Sequence, residues 1–538
     1  MRNKKSQARH TLLAALGIAA STLVGGIQLT ATADESPLHG SALFQALALE
    51  GDESPLAVAQ VNHNAPYPFA ADDAEADDEA EEVEGEEGDS VPLTDYKKLL
   101  DRVDELESAW GEHKEELADE AAAKKKKSSW KMGGRIHLDN WNFVNTDAGT
   151  NTLETGDPTD DPEDRWDFRR IRLEFSGKVP NNMLFRTQID FNNPAVAEMK
   201  DVYFGFEGLP NNQQLWIGNQ KRPIGLDHLN SSRHNMFLER PLAVETFNED
   251  ARRLGVCMHG HNDDLTFAWH YGAFLLENLN TDGRYRGDFN EGGLYGRLVA
   301  TPWYDEVSGG RGYFHAAVVG SVNPTDGDGT LDHDDNANEG RFRTRPLGRS
   351  DNRWWNTNRI QGAENYQQIG CEMMLNIGAF QVTSEYFGTF VQRDALGGFN
   401  GEDLTFHGGY IFANYFWTGE HIPLNRVAGT IDRVKPFENF FVVDRCCGGT
   451  GKGMGALSTG VRFDYLDLSD SDIRGGQGYA VTAGMNWYWT AYSKLQTNMI
   501  WGEIENAGQA TPGAGNVPLA AGVDGDFAIL GMRYMLDF

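Results

Sequence analysis

The chain has 538 residues and a formal net charge of −33, and its length exceeds what one compact soluble core usually needs. No run of about 20 apolar residues follows residue 30, so the exported part of the chain offers no transmembrane helix and could span a membrane only as a closed barrel. From residue 131 onward 35 Lys and Arg face 53 Asp and Glu, an acidic balance that argues against nucleic acid as a partner.

Residues 1–33 have the pattern of an export signal. A basic start, formed by Arg2, Lys4, Lys5 and Arg9, precedes the apolar stretch 11–24. The sequence Ala31-Thr32-Ala33 matches an A-x-A cleavage site, so we expect the mature chain to begin at Asp34. The alternative is an uncleaved membrane anchor.

Residues 34–90 form an acidic, low-complexity segment. Between Asp34 and Tyr96 there are 18 Asp or Glu and no Lys or Arg. The segment has too little apolar surface to fold, so we predict a disordered, self-repelling linker. It would act as a solvated tether, with contact to the cell wall as an alternative role.

Residues 91–129 change to a helical pattern. Seven positions recur at alternating spacings of three and four, namely Tyr96, Leu99, Val103, Leu106, Trp110, His113 and Leu117. This pattern predicts a short coiled-coil helix with one polar position in its seam. About three heptads are few for a free-standing coiled coil, so we expect it to self-associate only where another domain already holds the chains together. The alternative is a helix packed on its own barrel.

Residues 130–538 predict an all-β domain. Short alternating segments rich in aromatic residues have roughly the ten-residue length that a tilted strand needs to cross a bilayer. The sixteen predicted strands are 132–144, 166–179, 182–192, 199–208, 213–222, 252–260, 264–274, 291–301, 311–321, 365–376, 379–391, 404–418, 454–466, 478–489, 492–505 and 526–538. We therefore predict a 16-stranded antiparallel transmembrane β-barrel, preceded by the coiled-coil helix.

The connections between these strands differ in length. Short turns mostly alternate with long loops at 145–165, 223–251, 275–290, 322–364 and 506–525. Short turns on one side and long loops on the other are typical of an outer-membrane barrel. Segment 419–453 breaks the rule, because it is long but falls on the short-turn side.

The last strand has one apolar face that ends in an aromatic residue. Its apolar positions are Leu530, Met532, Tyr534, Leu536 and Phe538. Such a strand resembles the signal that outer-membrane barrels present to their insertion machinery, and an ordinary amphipathic edge strand is the alternative.

Strand alternation also assigns arginines to the inside of the barrel. An arginine on the lipid face costs about 2–4 kcal/mol at mid-membrane. The predicted lumen arginines are Arg135, Arg170, Arg172, Arg186, Arg462 and Arg533. Because closure brings the last strand beside the first, several could form a cationic stripe that favours anions. Alternatively, they only neutralise the inward carboxylates Glu174, Asp190, Asp139 and Asp464.

The loop after the fifth strand has its own apolar anchors at Leu229, Met236, Phe237 and Leu238. These could hold it inside the barrel, where its polar residues Ser231, Ser232, Arg233 and Arg240 would replace part of an anion's hydration shell. A plain surface loop with helix-capping serines is the alternative.

Several blocks of the chain resemble the phosphate-selective porin O and P family. They are FRRIRLEFSG at 168–177, SSRHNMFLER at 231–240, WTGEHIPLNR at 417–426, RVKPF at 433–437, YLDLSDSDI at 465–473 and GMNWYW at 484–489. The resemblance covers residues 130–538. It implies a sixteen-stranded, trimeric barrel with inward-folded loops and a basic eyelet that passes phosphate or polyphosphate.

The resemblance also assigns eyelet residues by position. Ser231 and Ser232 match the serine pair that lines the family's eyelet. The family's phosphate site has a lysine where this chain has His228, and a histidine is mostly neutral at pH 7. The identity of the anion therefore stays open.

We accordingly predict a homotrimeric outer-membrane porin, with no enzymatic activity, cofactor or metal, through which small inorganic anions diffuse passively. The predicted pore residues are Arg135, Arg170, Arg172, Arg186, His228, Ser231, Ser232, Arg233, Arg462 and Arg533. One alternative is a structural barrel whose acidic and helical N-terminal segments tether the envelope. The other is a secreted soluble β-sandwich enzyme or lectin, which would need no detergent for extraction.

Overall fold

A computed structural model describes residues 97–98, 101–111, 113–114 and 128–538, apart from 181, 194, 250, 277–291, 326–339, 361, 396–400, 445–448 and 509–521. The predicted export signal and acidic linker lie outside the described residues. The residues described within 97–114 are helical and exposed. Their assembly into a coiled coil stays a prediction. None of the helices among the described residues is long and apolar enough to cross a membrane.

Sixteen antiparallel strands of the described chain close into one barrel, with the last strand paired to the first. The strands are β1 (Ser129–Thr146), β2 (Arg165–Val179), β3 (Met183–Asp190), β4 (Glu198–Leu209), β5 (Gln213–Lys221), β6 (Arg252–His261), β7 (Phe267–Leu275), β8 (Gly292–Tyr304), β9 (Gly312–Pro324), β10 (Ala363–Ile377), β11 (Phe380–Arg393), β12 (Leu404–Phe416), β13 (Ala456–Asp470), β14 (Ile473–Thr490), β15 (Ser493–Ala507) and β16 (Val523–Asp537). The predicted strand number and closure are confirmed.

Side chains alternate between the outer wall and the lumen along each strand. On β16, Leu530, Tyr534 and Leu536 are exposed on the outer wall, whereas Arg533 and Asp537 are buried in the lumen. A bilayer imposes this pattern, because a charge on the lipid face is costly and an apolar side chain there is not. The surrounding lipid therefore explains both the alternating sequence pattern and the alternation of side chains in the barrel.

The strands extend beyond the predicted bounds where they leave the membrane. The predicted strands 454–466 and 478–489 are β13 and β14, which run to Asp470 and begin at Ile473. The backbone ladder continues through Asp467↔Gln477 and Asp470↔Ile473. Hydrogen bonding sustains these outer parts of the hairpin, where lipid no longer enforces alternation.

Three segments fill the lumen. Loop 222–251 carries the short helices α2 (Leu226–Leu229) and α3 (Leu242–Phe247), which follow helix α1 (Ala148–Thr155) in the chain. Its buried side chains are Ile224, Leu226, Met236, Phe237, Leu238, Leu242, Val244 and Phe247. Residues 340–360 bury Trp354 and Trp355, and part of segment 419–455 enters from the short-turn rim. The predicted inward-folded third loop is therefore present.

Candidate functional site

A cavity of about 290 Å³ lies in the lumen between loop 222–251 and the wall formed by β1 to β7. Among the described residues, seven basic side chains and one carboxylate line it, together with the serines of the loop. The charged lining residues are Arg135, Arg170, Arg172, Arg186, Lys221, Arg240, Arg252 and Asp201. We call this space the basic cavity. It brings together six of the ten predicted pore residues: Arg135, Arg170, Arg172, Arg186, Ser231 and Ser232.

Two polar side chains of the barrel wall hold α2, one at each end. The buried carboxyl group of Glu385 on β11 accepts hydrogen bonds from the backbone N–H groups of Leu226 at 2.6 Å and Asp227 at 2.7 Å, and from the Tyr410 hydroxyl at 2.6 Å. At the other end, the Lys221 ammonium donates to the carbonyl oxygens of residues 228, 229 and 230 at 2.6, 3.0 and 2.9 Å. These hydrogen bonds fix the start of the loop against the wall.

Arg462 and Arg533 anchor the far end of the same loop. Arg533 pairs with Asp139 at 2.6 Å and with Glu239 of the loop at 2.8 Å. Arg462 pairs with Asp464 at 2.7 Å and donates to the Glu239 carbonyl oxygen at 2.9 Å. Both arginines face the lumen as predicted but lie outside the lining of the basic cavity. Their role in the structure is to hold the loop.

Several arginines of the cavity are neutralised by inward carboxylates. Arg172 pairs with Asp190 at 2.6 Å, and Arg186 pairs with Glu174 at 2.9 Å. Arg252 pairs with Asp201 at 2.6 Å. The four carboxylates that the sequence offered as partners, Glu174, Asp190, Asp139 and Asp464, each bind an arginine. Neutralisation therefore accounts for part of the arginine pattern.

Arg170 and Lys221 carry the charge that is not neutralised in this way. Among the described residues neither makes an ion pair, and the nearest polar side-chain partner of Arg170 is the Nδ1 atom of His137 at 3.4 Å. Arg135 donates to the Ser232 hydroxyl at 2.8 Å, and its closest carboxylate oxygen, on Glu174, lies at 3.6 Å. The cavity thus keeps a local excess of positive charge beside a loop hydroxyl.

The structure places His228 and Arg233 away from the basic cavity. The His228 side chain is buried against the wall, and burial together with the nearby Lys221 and Arg222 charges holds its pKa well below the usual value. Arg233 bridges Glu174 at 3.0 Å and Asp537 at 3.1 Å. The cation at this end of the loop is therefore Lys221, which reaches the cavity from β5 and contacts the carbonyl oxygen of residue 228.

His228→Gln is accordingly expected to leave ion selectivity unchanged and to reduce the loss of stability that the protein shows at acid pH. Below about pH 6.5 the unfolded chain binds a proton at this histidine that the folded chain excludes, so the free energy of unfolding falls as the pH falls. Thermal unfolding of wild type and variant at pH 5 and pH 8 measures this difference. An equal loss of stability at pH 5 in both proteins would contradict it.

Lys221, Arg252 and Asp201 are cavity residues that the sequence reasoning missed. Gly218 on β5 has a φ of 138°, a backbone conformation that favours glycine, and beyond it both Gln220 and Lys221 line the cavity. Strict alternation of side chains cannot tell whether a lysine that follows such an irregularity faces the lumen or the lipid. Arg252 lies at the first position of β6, where the predicted strand begins, and alternation says little at a strand end.

The short-turn side also contributes to the cavity. The hairpin formed by Leu424–Asn425 and Thr430–Ile431 enters the lumen, and Ala428 and Thr430 line the basic cavity. Its tip meets the loop from the opposite side, because the Ile431 N–H donates to the Asn230 side chain at 3.0 Å. The segment that broke the loop-length rule therefore completes the constriction.

Arg297 fixes this hairpin. Its guanidinium pairs with Glu372 at 2.6 Å and donates to the carbonyl oxygens of Ala428 at 3.0 Å and Gly429 at 2.7 Å, all within the buried lumen. Arg297→Ala leaves the buried carboxylate of Glu372 without its cation, so we expect the free energy of unfolding to fall by about 3–5 kcal/mol. Limited proteolysis from the periplasmic side should cut at 424–431 in the variant only. Equal protection of both proteins would contradict this role.

A second group of arginines lies on residues 340–360, toward the long-loop side. It comprises Arg341, Arg343, Arg345, Arg349, Arg353 and Arg359. Arg343 and Arg353 both pair with Glu249, at 2.6 and 2.7 Å. Burial and neighbouring arginines lower the pKa of Arg341 and of Arg345 to about 10, which leaves both charged at neutral pH.

A closed barrel with an apolar outer wall, a polar lumen and a constriction built from an inward loop defines an outer-membrane porin. Its architecture is that of a channel. The chain belongs to the phosphate-selective porin O and P family, whose model matches residues 131–538. This confirms the resemblance drawn from the sequence blocks.

Known proteins similar to this chain include one uncharacterized relative and several porins. A protein of Caulobacter vibrioides is 26% identical over 377 residues, which cover 69% of this chain and 68% of that protein. The anion-selective porin from Comamonas acidovorans is similar in structure, with a TM-score of 0.44 and 10% identity over 76% of this chain and 100% of that one. OmpT of Vibrio cholerae has a TM-score of 0.42 and 10% identity, and the match covers 76% of this chain and 97% of that one.

Proposed function

We propose that this porin is a passive channel for small inorganic anions and that the basic cavity sets its selectivity. The observation that supports this proposal is the pair Arg170 and Lys221, which line the cavity and make no ion pair among the described residues, beside Arg135, whose closest carboxylate oxygen lies at 3.6 Å. In a narrow, low-dielectric passage such unpaired positive charge raises the local concentration of anions and repels cations.

The chemistry of the lining suits oxyanions such as phosphate. Guanidinium groups donate paired N–H bonds that match the oxygen atoms of phosphate, and the hydroxyls of Ser231 and Ser232 can replace further water molecules. The arginines on residues 340–360 would attract the same anions before they reach the cavity. Phosphate and polyphosphate, which the family's name suggests, are therefore included in the proposal.

We also propose that the protein is a homotrimer in the outer membrane. The heptad helix at 91–129 would reinforce a trimer that the barrels already form, and the acidic linker would extend toward the cell wall. Chemical cross-linking of the full chain in membranes tests the assembly. A monomer at all cross-linker concentrations would contradict it.

Planar bilayers under a tenfold potassium chloride gradient test the channel proposal. We expect a reversal potential of the sign that anion flow produces, and a chloride current that falls when phosphate is added. A cation-selective potential would overturn the anion claim, and absence of any conductance would favour the envelope tether. A chloride current unaffected by phosphate would leave an anion channel without a phosphate site.

A further inference from the structure

We propose that segment 419–455 also anchors the barrel in the periplasmic leaflet of the membrane, through an apolar patch that binds phospholipid. The patch consists of Phe437, Phe441, Val442 and Met454, whose side chains are 53–73% exposed. We call it the rim patch. It lies in the part of the segment that follows the lumen hairpin and has no role in the basic cavity.

The rim patch lies outside the barrel wall. On β14, Asn486 and Tyr488 are buried in the lumen, so Trp487 and Trp489 face outward. The Phe440 ring packs on Trp487 with centroids 4.6 Å apart, and the Phe440 N–H donates to the Trp489 carbonyl oxygen at 2.6 Å.

The return strand is fixed to the same wall. The Trp487 indole N–H donates to the Met454 carbonyl oxygen at 2.7 Å. The Phe441 N–H donates to the Gly453 carbonyl oxygen at 3.2 Å, which joins the two sides of the segment. With one side of the segment held against the wall, the four apolar side chains of the rim patch remain exposed, and the Arg311 guanidinium lies 6.0 Å from the centre of the Phe437 ring.

The rim patch continues the aromatic belt of the barrel. Tyr415, Trp417 and Tyr492 are exposed on the outer wall near the same rim, at the ends of β12, β14 and β15. Porins place such belts at the two membrane–water interfaces. A patch that adjoins the belt and extends outward therefore meets the boundary between headgroups and acyl chains.

The charges around the rim patch fit anionic headgroups. Among the side chains described in 435–454, two exposed lysines, Lys435 and Lys452, stand against one exposed acid, Glu438. Lysines beside an apolar interfacial surface attract anionic lipids. Four side chains are also few for a stable protein contact, which needs roughly 800 Å² on each partner. These observations favour lipid over a second copy of the chain.

A photoreactive side chain tests the anchor. Phe441 is replaced by p-benzoylphenylalanine in the full chain, which is reconstituted in vesicles of phosphatidylethanolamine and phosphatidylglycerol and irradiated. The control carries the same group at Val307, an apolar residue that is 100% exposed on a short turn of the same rim. We expect an adduct with the mass of one phospholipid at position 441, at least several-fold more than at position 307.

Other outcomes would overturn the proposal. Equal lipid adducts at both positions would mean that the patch has no special contact with the leaflet. A product of two linked chains at position 441 would assign the patch to a second copy. We also expect the yield of lipid adduct at position 441 to increase with the fraction of phosphatidylglycerol in the vesicles. The double substitution Lys435→Gln/Lys452→Gln should abolish this increase, and an unchanged increase would contradict the role of the lysines. None of these results depends on whether the channel selects anions.

Discussion

Arg170→Gln is expected to lower the chloride-to-potassium permeability ratio about three- to tenfold while the barrel stays folded. Arg170 lines the basic cavity and has no ion pair among the described residues, so its charge is available to a passing ion. A unit charge about 8 Å away contributes about 2 kcal/mol at an effective dielectric constant of about 20, and salt reduces this value. Reversal potentials under a salt gradient measure the change.

Stability should not fall with this substitution. Arg170 is 4% exposed and its Nε atom has no hydrogen-bond partner in the structure, so the folded state bears the cost of a buried cation. A neutral side chain removes that cost, and we expect the thermal midpoint to stay the same or to rise. Retention of the folded, heat-modifiable form in cold detergent would show that any change in selectivity comes from the charge itself.

The matched control removes a paired arginine of the same cavity. Arg172→Gln/Asp190→Asn deletes a guanidinium and the carboxylate bound to it at 2.6 Å, so the net charge of the lumen is unchanged. Its selectivity should stay close to that of the wild type. An equal drop in selectivity in Arg170→Gln and in the control, or no drop in either, would mean that local unpaired charge does not set the preference for anions.

The barrel could be predicted from the sequence because lipid imposes one rule on every strand. Where that rule acts, as in β2 or β16, alternate positions separate cleanly into apolar outer residues and polar inner ones, and the parity of Arg170, Arg172 and Arg533 is as predicted. Where the rule stops acting, the prediction loses precision. Residues 467–477 continue the ladder although they lie outside the predicted strands 454–466 and 478–489.

The site could be predicted only in part, because alternation says which face a residue occupies and not which partner it meets. Arg462 and Arg170 have the same inward parity, yet one holds the loop and the other lines the cavity. Lys221 follows a backbone irregularity at Gly218, and its contacts with the loop depend on tertiary structure. The position of His228 under α2 likewise follows from the loop's packing and not from the family motif.

Segment 419–455 shows the same limit. Its length marked it as unusual, but nothing in the pattern indicated that Ala428 and Thr430 would enter the lumen while Phe440 packs on the outer wall. The position of both arms depends on single contacts, with Arg297 on one side and Trp487 on the other. Such contacts between residues distant in sequence are not encoded in local periodicity.

Glu385→Ala is expected to detach α2 from the barrel wall, while Arg462 and Arg533 still hold the far end of loop 222–251, and to raise the single-channel conductance at least about twofold. The substitution leaves the N–H groups of Leu226 and Asp227 and the Tyr410 hydroxyl without their acceptor in a buried site. A buried donor that loses its acceptor costs about 1–3 kcal/mol, so the attachment of α2, which rests on two such donors, should weaken by about 2–6 kcal/mol. Single-channel recordings measure the conductance.

A graded series separates the carboxylate from its surroundings. Tyr410→Phe removes one donor and keeps both bonds to the loop, so its conductance should match the wild type. Glu385→Gln keeps the shape, but one amide N–H group would face a backbone N–H, so it should fall between the wild type and the alanine variant. If Glu385→Ala closed the pore or left the conductance unchanged, the carboxylate would not be what holds the loop in place.

Anion preference should fall together with the rise in conductance. Ser231, Ser232 and Arg240 line the basic cavity from the part of the loop that follows α2, and the two ends of α2 are held by Glu385 and Lys221. Once α2 is detached, this part of the loop can move away from the wall and the cavity widens. A wider passage discriminates less between ions by their charge. If the conductance rose and the selectivity for anions stayed the same, the charges that select anions would all lie on the barrel wall, and the loop would have no part in selectivity.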